Sequence, residues 1–177
     1  MPVESEWSKT PPSWALPVTV AGELVLLRTE QMLVYIGPVC AYPVGFVFCL
    51  TVGLNPRSEP RMTFGIGPGG PVRRLQVRFD GWVADSAARR PVGEVRGEPV
   101  LWDCGWRSTG DRHPNPRHVS RWWVSPLPEA GPVEFAVFVD GSEEASGTAQ
   151  MDAGQITGAA SRSVALWAGP GREPEPR

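Results

Sequence analysis

The segment "GDRHPNPRHVS", Gly110 to Ser120, holds both histidines of the chain, His113 and His118, with Asp111 just ahead of them. These are the side chains that could move a proton near neutral pH. A metal site needs at least three ligands on rigid supports, and no Glu or Cys adjoins the pair. Pro114 and Pro116 mark a stiff surface loop instead. There is also no C-x-x-C, so neither a metal nor another cofactor is expected. Cys104 is the one nucleophile close in sequence, and nothing beside it would lower a thiol pKa. A hydrolase or isomerase built on His113 or His118 is therefore the third of three readings, and no catalytic residue is assigned.

Binding has more to work with. Trp102, Trp106, Arg107, Arg112 and Arg117 interleave rings with guanidinium groups, and Trp123 follows. Such a mixture can stack bases or hold an acidic peptide. The plainer account is that the tryptophans cover a sheet edge with arginine stems lying over them. "GIGPGGP", Gly65 to Pro71, lacks the Lys-Ser/Thr of a phosphate loop and has no helix signal after it, so it reads as a connection.

Charge narrows the partner. The net charge is −2 and the isoelectric point is about 5.7, which gives no global attraction to nucleic acid. The distribution is uneven: residues 57–121 carry twelve Arg against seven acids, and residues 122–177 three Arg against eight. Either the two regions lie side by side and compensate, or the first presents a basic patch to an anionic partner.

These residues need a scaffold. The chain has 177 residues, 41% of them hydrophobic, enough for one domain with a real core. Gly and Pro number 20 each, a density that suits many turns and short strands and not long helices. Three cysteines, with no basic and apolar leader, suggest free thiols in a reducing compartment and a cytoplasmic location. Gln31 to Pro56 holds no charged residue. Its prolines, glycines and β-branched residues predict two buried strands with a proline-containing connection, and no membrane span.

Residues 1–13 read as a flexible arm, 14–168 as one domain and 169–177 as a disordered tail. Within the domain, "VGFVFCLTVG" alternates Phe46, Phe48, Leu50 and Val52 against Val47, Cys49 and Thr51, as in a central strand. "RRLQVRFDGWVADS" is a hairpin about Asp80-Gly81, with Leu75, Val77 and Phe79 on the dry side. Residues 87–118 form a long Arg/Trp-rich loop broken only by "PVLWDCGW". In "SRWWVSPLPEAGPVEFAVFVDG" the two tryptophans must point to opposite faces of a strand. Burying one is worth about 4–6 kcal/mol. Trp122 is assigned to the core, and Trp123 is to be covered by the 87–118 loop or by a partner. Asp152 caps a short helix expected to dock Ile156, Val164 and Trp167 on the sheet. The expected fold is all-β: a two-layer antiparallel β-sandwich, Ig-like in architecture only, with one short C-terminal helix. The immunoglobulin signature itself fails, because Trp102 and not Tyr stands two before Cys104.

In their order, "AYPVGFVFCL", "LQVRFDGW", "RWWVSPLPEAGPVEFAV" and "DAGQITGAASRSVALW" resemble a set of actinobacterial β-sandwich proteins of unknown function. Those carry Y-P-x-G-F-x-F, a strand-D-G hairpin, a Gly/Arg-rich loop, W-x-W-P-L-P-P-x-G-P and a helix ending in L-W. The resemblance spans most of the domain, and Leu-Pro-x-x-Gly-Pro is its most specific piece. Ser125 stands where that set tends to carry an aromatic. The resemblance implies a fold and no activity. The leading functional expectation is a non-catalytic protein-interaction or structural domain, with a protein partner or a homo-oligomer. The alternative is a binding module for an anionic ligand through residues 87–118.

Overall fold

The computed structural model describes residues 10–20, 22–57, 66–67, 70–87, 99–109, 116–139 and 143–166. The strands are β1 (Ala15–Leu16), β2 (Val18–Val20), β3 (Leu24–Arg28), β4 (Met32–Tyr42), β5 (Gly45–Leu54) and β6 (Val72–Phe79). They continue as β7 (Trp82–Asp85), β8 (Val100–Ser108), β9 (Arg117–Ser125), β10 (Pro132–Val139) and β11 (Gly147–Asp152). Helix α1 (Ala153–Ala160) and β12 (Val164–Ala165) complete the described chain. All pairings between these strands are antiparallel. The protein is an all-β sandwich. One sheet runs β2-β4-β5-β9-β8 with β3 also on β4, and the other runs β11-β10-β6-β7. β1 and β12 form a separate two-stranded ribbon. No helix among the described residues is long and apolar enough to cross a membrane.

Two-residue alternation builds the core. Phe46, Phe48, Leu50 and Val52 of β5 are fully buried, as are Leu75 and Val77 of β6 and Val133, Phe135 and Val137 of β10. Phe135 meets Phe48 edge to face at 5.1 Å and Phe46 at 6.4 Å, so the two sheets are joined by aromatic contacts at their middle. The β6–β7 hairpin turns at Asp80 and Gly81 with φ of 51° and 76°, the left-handed pair a tight two-residue turn requires. The Asp80 carboxylate then accepts the backbone N–H groups of Glu129 and Ala130, which fixes the Leu-Pro-x-x-Gly-Pro connection against the hairpin. On the outer face of this sheet Gln76 is buried too, donating to Asp85 and accepting from Arg78, which pairs with Glu134 at 2.8 Å.

One side of the sandwich is closed. Gly147 of β11 lies so near Leu26 that a Cβ there would sit 2.1 Å from the Leu26 carbonyl oxygen. Helix α1 buries Ala153, Ile156, Ala159 and Ala160 at this side, and the Asp152 side chain accepts the Gly154 N–H as its N-cap. At the opposite side the edge strands β7 and β8 leave Trp82 and Trp106 exposed.

Several expectations need correction. The 87–118 stretch is not one loop around a brief interruption: Val100–Ser108 is a nine-residue edge strand, and Arg117 already opens β9. Residues 88–98 and 110–115 lie outside the described residues. The two buried strands expected between Gln31 and Pro56 are β4 and β5, joined through Pro43, but β4 runs past Gly37-Pro38. The register shifts there and the strand continues to Tyr42, so the connection to β5 is the turn at Pro43-Val44. The helix stops at Ala160, where Ser161 provides the C-cap. Val164 therefore does not dock; it is exposed and pairs with Leu16 in the ribbon. Trp167 lies outside the described residues.

Candidate functional site

Strand register sets out the rows of side chains on the outer face of the six-stranded sheet. Row by row, Trp102, Trp123, Val47, Cys40 and Thr19 lie abreast. Next come Arg121 and Cys49. Arg107, Val119, Thr51, Tyr35 and Val25 follow, and then Arg117, Gly53, Leu33 and Arg28. The ribbon covers the first row: Trp14 and Ala15 pack with Tyr42, Val47 and Trp123. Trp123 is fully buried, its ring 5.7 Å from that of Tyr42 and edge-on to it. Trp123, expected to be covered by the 87–118 segment or by a partner, lies in a cluster on which Cys104 of that segment does pack, and it is covered further by the chain's own first strand. It cannot touch a ligand.

Beyond the ribbon the face is open, and its floor is small. Cys49, Thr51, Gly53 and Val119 leave a trough between longer side chains. Three adjoining concavities of about 520, 450 and 530 Å³ follow it. The first is bordered by Cys40, Cys49, Cys104, Arg107 and Arg121. The second shares Pro38, Cys49, Arg107 and Val119 with the first and adds Arg117. The third shares Tyr35, Thr51 and Arg117 with the second and ends at Arg28. Glu23 and Glu30 border the trough at its β3 side. Arg74–Asp85 and Arg78–Glu134 are ion pairs of the other sheet, whereas Arg28, Arg107, Arg117 and Arg121 pair with no carboxylate of the described residues within 4.0 Å. Arg121 lies against the Tyr42 hydroxyl.

The three cysteines, Cys40, Cys49 and Cys104, are free thiols that border one concavity. Burial raises the Cys49 and Cys104 thiols above their ordinary pKa, against a weaker lowering by Arg121. They stay protonated at neutral pH and are poor nucleophiles. No group of His, Cys, Asp or Glu among the described residues is placed to hold a metal.

Of the residues expected to bind, Arg107 and Arg117 meet in the trough. Trp102 is half-exposed beside the buried Trp123. Trp106 borders the first concavity at the sheet edge, but its ring stacks on His118 at 5.3 Å. Arg112 and His113 lie outside the described residues. Sequence reasoning misses Arg28 and Arg121. The alternation of Arg121 with Trp122 is a readable signal; the alignment of Arg28 with Arg117 across β4 and β5 leaves none.

His118 points the other way, into the sandwich. It is 5% exposed, and its buried Nδ1 has no hydrogen-bond partner. Burial lowers its pKa below the ordinary 6.5, and Asp103 opposes that shift more weakly. The folded protein thus favours neutral imidazole, and the unfolded chain binds the proton more readily. Stability present above pH 6.5 is lost as the pH falls below it. Thermal unfolding followed between pH 8 and 5 is expected to show a falling Tm across that range, and His118→Gln is expected to flatten the fall.

No family model, curated protein or solved structure matches this chain.

Proposed function

We propose that the protein is a non-catalytic β-sandwich binding domain that takes an anionic ligand on the outer face of its six-stranded sheet. The observation that carries this reading is the set of four arginines, Arg28, Arg107, Arg117 and Arg121, along one continuous trough with no ion-paired carboxylate among the described residues. Exposed guanidinium groups clustered on small side chains raise the local concentration of anions without a net positive chain. The floor offers thiols held in their neutral form and no activated base. Of the two histidines on which a hydrolase or isomerase reading would rest, His118 is buried on the opposite face and His113 lies outside the described residues. Three free cysteines support a reducing compartment, the cytoplasm.

The test is retention on an immobilised polyanion such as heparin. The protein is expected to bind at low ionic strength and to elute as salt screens the contact, over a Debye length of about 3 Å by 1 M. The triple variant Arg107→Gln, Arg117→Gln, Arg121→Gln is expected to flow through while keeping its unfolding midpoint, since all three side chains are exposed. Equal retention of the variant and the parent would place the binding surface elsewhere.

A further inference from the structure

The order of the arginines along the sheet carries the reading further. Arg117, Val119 and Arg121 are alternate residues of β9 on the outer face, and Arg107 of β8 lies directly beside Val119. Arg117, Arg107 and Arg121 therefore occupy three successive rows, each two residues from the next. A strand rises about 3.4 Å per residue, so the rows are about 7 Å apart. An extended polypeptide has the same repeat: its alternate side chains project to one side every two residues.

Resting on the anion-binding reading above, we propose that the trough's ligand is an extended acidic segment of a partner protein. It runs along β9 with carboxylates at positions i, i+2 and i+4 facing Arg117, Arg107 and Arg121. The floor fits such a segment. Cys49, Thr51, Gly53 and Val119 are short enough for a backbone to lie over them, and two are apolar or nearly so. A single-stranded nucleic acid has a comparable charge repeat but draws much of its affinity from bases stacked on aromatic rings. Here the ring bordering the second and third concavities is Tyr35 alone among the described residues. Trp123 is buried beneath the ribbon, and Trp106, exposed at the sheet edge, borders only the first concavity, with one face of its ring on His118. That difference favours peptide over nucleic acid.

The experiment uses the full chain and three labelled probes followed by fluorescence anisotropy at low salt. One probe is a peptide alternating Glu and Ala, the second has the same composition with its glutamates in one block, and the third is oligo-dT of matched charge. The alternating peptide is expected to bind about tenfold more tightly than the block peptide. Arg107→Gln, which removes the middle contact, is expected to reduce that preference to near parity. Arg162→Gln, an exposed position just after α1 and away from the trough, is expected to leave it unchanged, which separates register from bulk charge. Equal affinity for the two peptides overturns the register while leaving the anion-binding reading intact. Tighter oligo-dT binding overturns the peptide assignment in favour of nucleic acid. No salt-sensitive binding of any probe overturns both.

Discussion

Replacing Trp123 with alanine is expected to lower the stability by about 3–5 kcal/mol, the range for truncating a large buried aromatic. Its ring is fully buried and joins three elements: the ribbon through Ala15 and Trp14, β4 through Tyr42, and β5 through Val47. Gly45 comes so close beneath it that a Cβ at that position would lie 2.6 Å from the ring and 2.3 Å from the Val124 carbonyl oxygen. The site is thus shaped around the indole, and the hole left by alanine has little that can relax into it. A urea midpoint measured for the parent, Trp123→Ala and Trp123→Phe would check this. Phenylalanine is expected to recover part of the loss because it refills the space against Tyr42. A midpoint for alanine equal to that of the parent would mean that the ribbon and Tyr42 do not depend on the ring.

Gly147→Ala is the second large effect, expected at about 3 kcal/mol, the upper end for overpacking. The added carbon would meet the Leu26 carbonyl oxygen at 2.1 Å and its carbon at 2.8 Å. Both are backbone atoms of β3, at the position where its register with β4 shifts between Val25 and Leu27, so no side chain can simply swing away. The clash falls where β11 and β3 close one side of the sandwich. Gly158→Ala makes the opposing control. Its position on α1 has nothing within 4 Å, and alanine in a helix interior gains up to about 1 kcal/mol over glycine. Thermal unfolding of the two variants side by side is expected to move Tm in opposite directions.

What the chain reveals by itself and what it conceals divide along a physical line. Alternation is a local property, so the dry face of β5, the Leu75-Val77-Phe79 row and the Val133-Phe135-Val137 row are legible in the residues alone. The Asp80-Gly81 turn is legible for the same reason: two adjacent residues decide it. Pairing between strands distant in sequence is decided by packing of whole faces, and no local signal reports it. The alignment of Arg28 in β3 with Arg117 in β9 needs β4 and β5 between them. The gathering of Cys40, Cys49 and Cys104 on one face needs three separate strands. Val164 follows helical spacing from Ile156 and Ala160, yet the ribbon pairing with Leu16 prevails because β1 brings a partner strand to it. Alternation alone separates Trp123 from Trp122, but it cannot name the part of the cover over Trp123 that comes from Trp14 and β1, far back in the sequence.

The ribbon also determines how the molecule would respond to tension. Ala15 pairs with Ala165 and Leu16 with Val164, and the Leu166 N–H donates to the Trp14 carbonyl, so the outgoing directions at residues 14 and 166 lie at the same end of the pair. A pull applied through those two points loads the hydrogen bonds in succession and peels them apart like a zipper, with little resistance in shear. The indole of Trp123 would meet water while the two main sheets still carried almost no load. In a single-molecule stretching trace this geometry corresponds to a small, low-force step that precedes rupture of the body.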